Sequence, residues 1–150
     1  MRTPVGPAYE IVTVPGKGRG IRASRDINAD EIVLREFSVL VAVHGETDLR
    51  IFFILPEKAL EAILLLLNAH PNKIPYMDDF NIPHCRLLDA FGGILNTNAF
   101  ADKIRGKLGL VQLTGSFFNH DTSHNVKKVW NAVTEQFVFT TLRNVKRREE

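Results

Sequence analysis

Apolar residues gather in short runs at the start of the chain. Tyr9 to Val14 and Ile32 to Val43 are rich in Val, Ile and Phe and read as strands, while Pro15-Gly16 and Asn28-Ala29-Asp30 punctuate them as turns. Ile21 to Ile27 alternates and also ends in a turn. The period changes after Pro56, where Leu60, Ile63, Leu64 and Leu67 recur at helical spacing before Asn68 and Pro71; this predicts an amphipathic helix. A loop over 72–83 leads to a second helix predicted over Arg86 to Leu95, with its end weakened by Gly92-Gly93. From Lys128 to Val145 the strand pattern returns, with Val129, Val133, Phe137, Phe139 and Leu142 among polar residues and a turn over Asn131 to Glu135. The expected architecture is mostly β with a helical insert, an α+β chain divided into a β part (9–55), the insert (56–105) and a C-terminal part (106–150). No internal repeat or low-complexity tract is evident.

Composition narrows the classes. One hundred and fifty residues, 45% apolar and 24% charged, suffice for one domain with a core. A formal net charge of +2 argues against a dedicated nucleic-acid binder and against disorder. The last fifty residues hold nine bases and five acids, and part of that excess, Lys146-Arg147-Arg148, reads as a solvated turn. Cys85 is alone, so neither an internal disulfide nor a paired-thiol zinc site is expected, and a reducing compartment, nucleus or cytoplasm, fits best. The longest strongly apolar stretch, Ala62 to Leu67, is far too short to cross a membrane. Arg2, Pro4, Gly6 and Pro7 do not form a secretory signal.

Two segments could carry chemistry. In Gly16-Lys17-Gly18-Arg19-Gly20, closely spaced glycines let a ligand reach backbone groups, yet no Gly-Lys-Ser/Thr ending and no following helix support a nucleotide-binding loop. Asn119-His120-Asp121-Thr122-Ser123-His124-Asn125 is a dense polar loop. Its histidines stand four apart, but the composition is that of a turn rather than a metal-binding helix, and its Asn, Asp and Ser side chains suit capping of backbone groups. No nucleophile elbow surrounds Ser116 or Ser123, and Cys85 reads as a small core residue.

Taken together and in order, four blocks resemble the SET-domain protein methyltransferases, particularly the fungal-type and SMYD-like members. Gly16 to Asp26 with Ile27 and Asp30-Glu31-Ile32 is similar to the family's glycine-rich opening. Ile94-Leu95-Asn96-Thr97-Asn98-Ala99-Phe100 is similar to its Thr-Asn-Ala/Ser-Phe segment, and Phe118 to Asn125 to its Asn-His signature. Trp130-Asn131 through Glu149-Glu150 is similar to the run into its last strand.

The resemblance implies a β-clip-like fold of short curved sheets and S-adenosyl-L-methionine as cofactor. It places cofactor contacts at Lys17, Gly18, Arg19, Gly20, Asn98, Asn119 and His120, with the basic residues near the cofactor's carboxylate, the two asparagines on its amino-acid and ribose parts, and His120 facing adenine. It implies a protein substrate carrying a lysine, histone or other, and chemistry that needs no metal; with the charge and hydropathy read above, no membrane or direct nucleic-acid partner is expected. The chain departs from the pattern at Asp121-Thr122 and His124, which replace Ser-Cys and Pro, and at Arg148, which replaces the glycine of Gly-Glu-Glu. It also reaches Glu150 without the Leu-Thr-x-x-Tyr strand, and neither Tyr9 nor Tyr76 matches the family's catalytic tyrosine, so no catalytic residue is assigned. The expectation is a truncated SET domain with its C-terminal strand missing, inactive as it stands and with Phe117, Phe137 and Phe139 partly exposed; the alternative is a non-catalytic interaction module on the same scaffold.

Overall fold

A computed structural model describes residues 7–43, 51–67, 69, 83–101 and 108–150. The chain forms two compact units, one made of Met1–Phe37 with Phe117–Glu150 and the other of Ser38–Ser116. The helical segments expected between 56 and 105 belong to the second unit, which also carries a sheet of its own.

In the first unit, β1 (Tyr9–Val14) and β2 (Gly18–Ala23) form an antiparallel hairpin in register from Tyr9↔Ala23 to Val14↔Gly18. Its turn needs φ of 75° at Gly16 and 79° at Gly18, where a side chain would be strained, and Lys17 N–H donates to Val14 O (3.1 Å). The second sheet has the order β3-β8-β7, with β3 (Ile32–Phe37), β7 (Val126–Asn131) and β8 (Gln136–Thr141). The turn between β7 and β8 falls where the sequence predicts it. The Asn131 Oδ1 accepts from the Val133 and Thr134 N–H groups, which is why an asparagine starts it. Along β8 every second side chain is buried, Phe137, Phe139 and Thr141, as the two-residue period of a half-covered strand requires. Phe137 and Phe139 are therefore not exposed as expected: Phe139 stacks on Phe118 (4.7 Å between ring centres) and Phe137 meets Trp130 edge-on (5.1 Å).

The first unit contains an internal repeat that was not expected. Arg25-Asp26-Ile27-Asn28-Ala29-Asp30-Glu31 and Arg143-Asn144-Val145-Lys146-Arg147-Arg148-Glu149 fold alike and clasp each other with reciprocal hydrogen bonds. Ile27 N–H donates to Val145 O (2.8 Å) and Val145 N–H to Ile27 O (2.9 Å). Ala23 N–H donates to Glu149 O as Thr141 N–H donates to Glu31 O, and Arg148 N–H to Ala23 O as Asp30 N–H to Thr141 O. The Asp26 carboxylate accepts from Arg147 N–H just as the Asn144 amide oxygen accepts from Ala29 N–H. Within each loop the glutamate is braced twice, Glu31 by Arg25 and the Asn28 N–H, and Glu149 by Arg143 and the Lys146 N–H. Ile27 and Val145 sit at the centre of the clasp with Ala8 and Ala23, all buried.

In the second unit, β4 (Leu40–Val43), β5 (Ala99–Ala101) and β6 (Leu108–Val111) form a sheet ordered β4-β6-β5. Among the described residues three helices accompany it, α1 (Ile51–Ile54), α2 (Glu57–Leu64) and α3 (Pro83–Asn98), around a core that includes Ile63, Phe91, Ile94, Leu95, Leu110 and Val111. The single strand expected over 32–43 is two, because β3 finds its partner in β8 and β4 finds its own in β6. The helix expected over Arg86 to Leu95, with its end weakened by Gly92-Gly93, starts at Pro83 and runs on to Asn98: burying Phe91, Ile94 and Leu95 outweighs a propensity loss of about 1 kcal/mol per glycine. Tyr76 and the loop over 72–82 lie outside the described residues, as does the side chain of Cys85 on α3.

Arg148 has φ of 71° and its counterpart Asp30 has 61°, the left-handed region that a non-glycine residue enters at a cost. Arg148→Gly is therefore expected to raise stability by about 0.5–1 kcal/mol, the relief of strain exceeding the added chain entropy; an unchanged or lower urea midpoint contradicts this. The clasp also sets an acid limit. The Arg25 hydrogen bond holds Glu31 below the usual carboxylate range, and the Arg143 hydrogen bond, with the Lys146 N–H, does the same for Glu149. A carboxylate whose folded value is depressed contributes stability above its unfolded pKa, near 4, which is lost as pH falls through the folded value. Urea midpoints of wild type and Glu149→Gln should differ most at neutral pH and converge toward pH ~3; a gap that widens on acidification contradicts the assignment.

Candidate functional site

The glycine turn and the polar loop that follows a 3-10 turn (Gly115–Phe117) meet in the first unit. Gly20 is buried opposite Val12 in the hairpin. A Cβ there would lie 2.6 Å from Asn119 Nδ2, 2.7 Å from Val14 Cγ2 and 3.3 Å from Glu150 Oε1, so only glycine lets the hairpin and the loop approach this closely. Asn119 Nδ2 donates to Glu150 Oε1 (2.6 Å), and Lys17 Nζ lies 3.8 Å from the same oxygen. Asn125 Nδ2 donates to the Glu150 carbonyl (2.9 Å). The Arg19 guanidinium stands 4.7 Å over the Phe117 ring, a cation–π arrangement that holds it beside the loop.

Of the residues singled out in the sequence, Lys17, Gly20 and Asn119 thus gather around one carboxylate, with Gly18 opening the strand between them. Arg19 engages Phe117, and His120 follows Asn119 in an exposed position. Asn98 is the last residue of α3 in the other unit; it is buried, and its Nδ2 donates to Leu67 O (2.7 Å) and Ile94 O (2.8 Å). The neighbouring Thr97 Oγ1 donates to Gly93 O and accepts from the Ala69 N–H. Tyr9 lies on β1 opposite Ala23.

Glu150 and Asn125 complete the cluster and were not anticipated. The doublet Glu149-Glu150 directly after a basic run is the available signal, since Glu149 is consumed by the clasp and the next carboxylate must point elsewhere. Behind the cluster lies a cavity of about 40 Å³ lined by Ile21, Ile27, Phe118, Val145, Glu149 and Glu150, among others. It has room for a water molecule or two and is far below the ~300 Å³ at which ligand pockets begin.

Among the described residues there is no group of three or more His, Cys, Asp or Glu placed to hold a metal, and no helix long and apolar enough to cross a membrane.

The sequence profile of the SET domain matches residues 18–150. The chain belongs to the SET domain family. This SET domain is 27% identical over 151 aligned positions to the histone-lysine N-methyltransferase set5 of Schizosaccharomyces pombe; it is covered to 95% and spans 40% of that protein's length. Among solved structures, the SET domain of LSMT bound to lysine and AdoHcy matches with a TM-score of 0.54 at 14% identity, over 98% of this chain and 49% of that one. A Polycomb Repressive Complex 2 from Chaetomium thermophilum, a humanized mutant bound to an inhibitor, matches with a TM-score of 0.55 at 13% identity, over 97% of this chain and 14% of that one. These likenesses establish the fold: small antiparallel sheets with few helices, in the arrangement of SET domains.

The contact at Gly20 yields a prediction. Gly20→Ala must push aside Asn119 or Val14 and should cost about 1–3 kcal/mol. Gly16→Ala, which meets nothing within 4 Å but has positive φ, should cost about 1 kcal/mol. Paired urea titrations decide this, and a Gly20→Ala variant as stable as wild type contradicts the packing described.

Proposed function

We propose that this SET domain is an S-adenosylmethionine-dependent protein-lysine N-methyltransferase of the fungal or SMYD-like kind, acting on a histone or another protein in the nucleus or cytoplasm. The observation that carries the reading is the convergence of Lys17, Gly20 and Asn119 on a single carboxylate. Such a cradle suits the amino-acid end of the cofactor, because an ammonium and an amide N–H side by side can converge on a carboxylate. The names of the S. pombe relative and of the lysine- and AdoHcy-bound LSMT domain support the same reading.

When bound, S-adenosylmethionine supplies a methyl group activated by a sulfonium. The protein's own part is to bind and orient. Lys17 offers a positive charge to a carboxylate, and Asn119 donates a hydrogen bond from a loop fixed by Phe118 stacked on Phe139. Arg19 is held beside Phe117, and His120 is placed on the exposed side of the loop. The Asn98 amide nitrogen is engaged within its own unit, on Leu67 O and Ile94 O. Holding reactants in line accounts for much of the acceleration in a group transfer of this kind.

A second reading, an interaction module without catalysis, is favoured by one observation, the exposure of Phe53 (73%) and Ile54 (78%) on α1. Isothermal titration with S-adenosylhomocysteine and radiolabelled methyl transfer to histones and cell extract separate the two. The methyltransferase reading predicts binding, weakened by about 1–3 kcal/mol in Asn119→Ala, and label incorporation. Equal binding by wild type and Asn119→Ala counts against the assigned site, and absence of both binding and label favours the interaction module.

A further inference from the structure

The Glu150 side chain engages Asn119 and Lys17 rather than the clasp or the core. Its carboxylate is one-third exposed. One oxygen takes the Asn119 hydrogen bond at 2.6 Å and faces Lys17 Nζ at 3.8 Å. Its backbone carbonyl is pinned by Asn125, and the preceding residue is tied to Ala23 through the clasp, so the side chain is placed from both ends. Lys17 stands at the tip of the hairpin turn, between two positive-φ glycines. An anion and a cation lie side by side at the surface, next to a glycine whose missing Cβ lets Asn119, Val14 and Glu150 pack against the hairpin.

We propose that Lys17 and Glu150 together form a receptor for the zwitterionic head of an α-amino acid, with Glu150 taking the ammonium and Lys17 the carboxylate, and that Glu150 thereby sets specificity for the amino-acid end of the cofactor. This rests on the cofactor reading above and adds to it the anionic half of the site. The charges suit the pairing: an α-amino acid carries both signs two bonds apart, matching two opposed side-chain charges a few ångströms apart. Neither half alone distinguishes a zwitterion from a simple anion or cation. Both groups keep part of their surface in water, so the contribution is moderate and falls with added salt. The Asn119 hydrogen bond holds the Glu150 oxygen in place.

The test pairs variants with ligands that lack one charge. Wild type, Glu150→Gln and Lys17→Met are titrated calorimetrically with S-adenosylhomocysteine, its des-amino analogue and its decarboxylated analogue. Glu150→Gln retains an acceptor oxygen for Asn119, so the loop should keep its place. Wild type should prefer S-adenosylhomocysteine to the des-amino analogue by about tenfold, and Glu150→Gln should erase that preference while keeping the preference over the decarboxylated compound. Lys17→Met should show the mirror-image pattern. If Glu150→Gln keeps the preference for the amino group, or binds S-adenosylhomocysteine more tightly than wild type, Glu150 is not the ammonium receptor and only this inference falls. Should Glu150→Gln fail to fold, the wild-type ligand ratio still decides, because equal affinity for the amino and des-amino compounds overturns the proposal. If wild type binds none of the three ligands, the cofactor reading falls and takes this inference with it.

Discussion

The exchange of two hydrogen bonds between Ile27 and Val145 is the contact on which the first unit depends. Around it, two seven-residue loops from opposite ends of the sequence satisfy each other's backbone groups, and each braces its own glutamate with its own arginine. Closing so long a stretch of chain is costly in entropy, though the cost grows only slowly with length. The return comes from pairing many polar groups at once over a small apolar centre of Ala8, Ala23, Ile27 and Val145. Groups of this kind, left unpaired away from water, would each cost more than a single pairing gains. The clasp is therefore expected to form or fail as a unit.

The candidate site inherits its geometry from this arrangement. Glu149 O on the Ala23 N–H sets the direction in which the chain leaves the clasp, and the next residue arrives beside Gly20 and Asn119. The hairpin β1-β2 brings Gly20 to the same place from the other side, and the stacking of Phe118 on Phe139 anchors the loop that presents Asn119. Three elements distant in sequence meet at one oxygen. The binding reading rests on that meeting rather than on any single motif.

Much of this was legible in the sequence, where local physics decides. Asn131 announced its turn because its side chain mimics a backbone acceptor, and the alternation through Phe137 and Phe139 announced a half-buried strand. The glycines at 16, 18 and 20 marked a place of close approach, although only coordinates separate Gly16 and Gly18, needed for φ, from Gly20, needed for space. The division of 32–43 into two strands was hidden, because apolar content does not say which partner each half will find. β5 and β6 are too short to show a period. The repeat was hidden for a different reason: Arg-Asp-Ile and Arg-Asn-Val share chemistry rather than letters, and the equivalence appears only when Asp26 and Asn144 are seen accepting the same kind of backbone hydrogen bond. Glu150 could be placed only once Glu149 was seen to be engaged.

The most direct measurement of the central claim, that the cofactor's amino-acid end binds at the meeting of the glycine turn with the Asn-His loop, is an amide NMR titration of the protein with S-adenosylhomocysteine. The account predicts saturable shifts at the backbone amides of Gly18, Gly20 and Glu150 and at the side-chain amide of Asn119. Saturable binding that leaves Gly20 and the Asn119 side chain unmoved would contradict it.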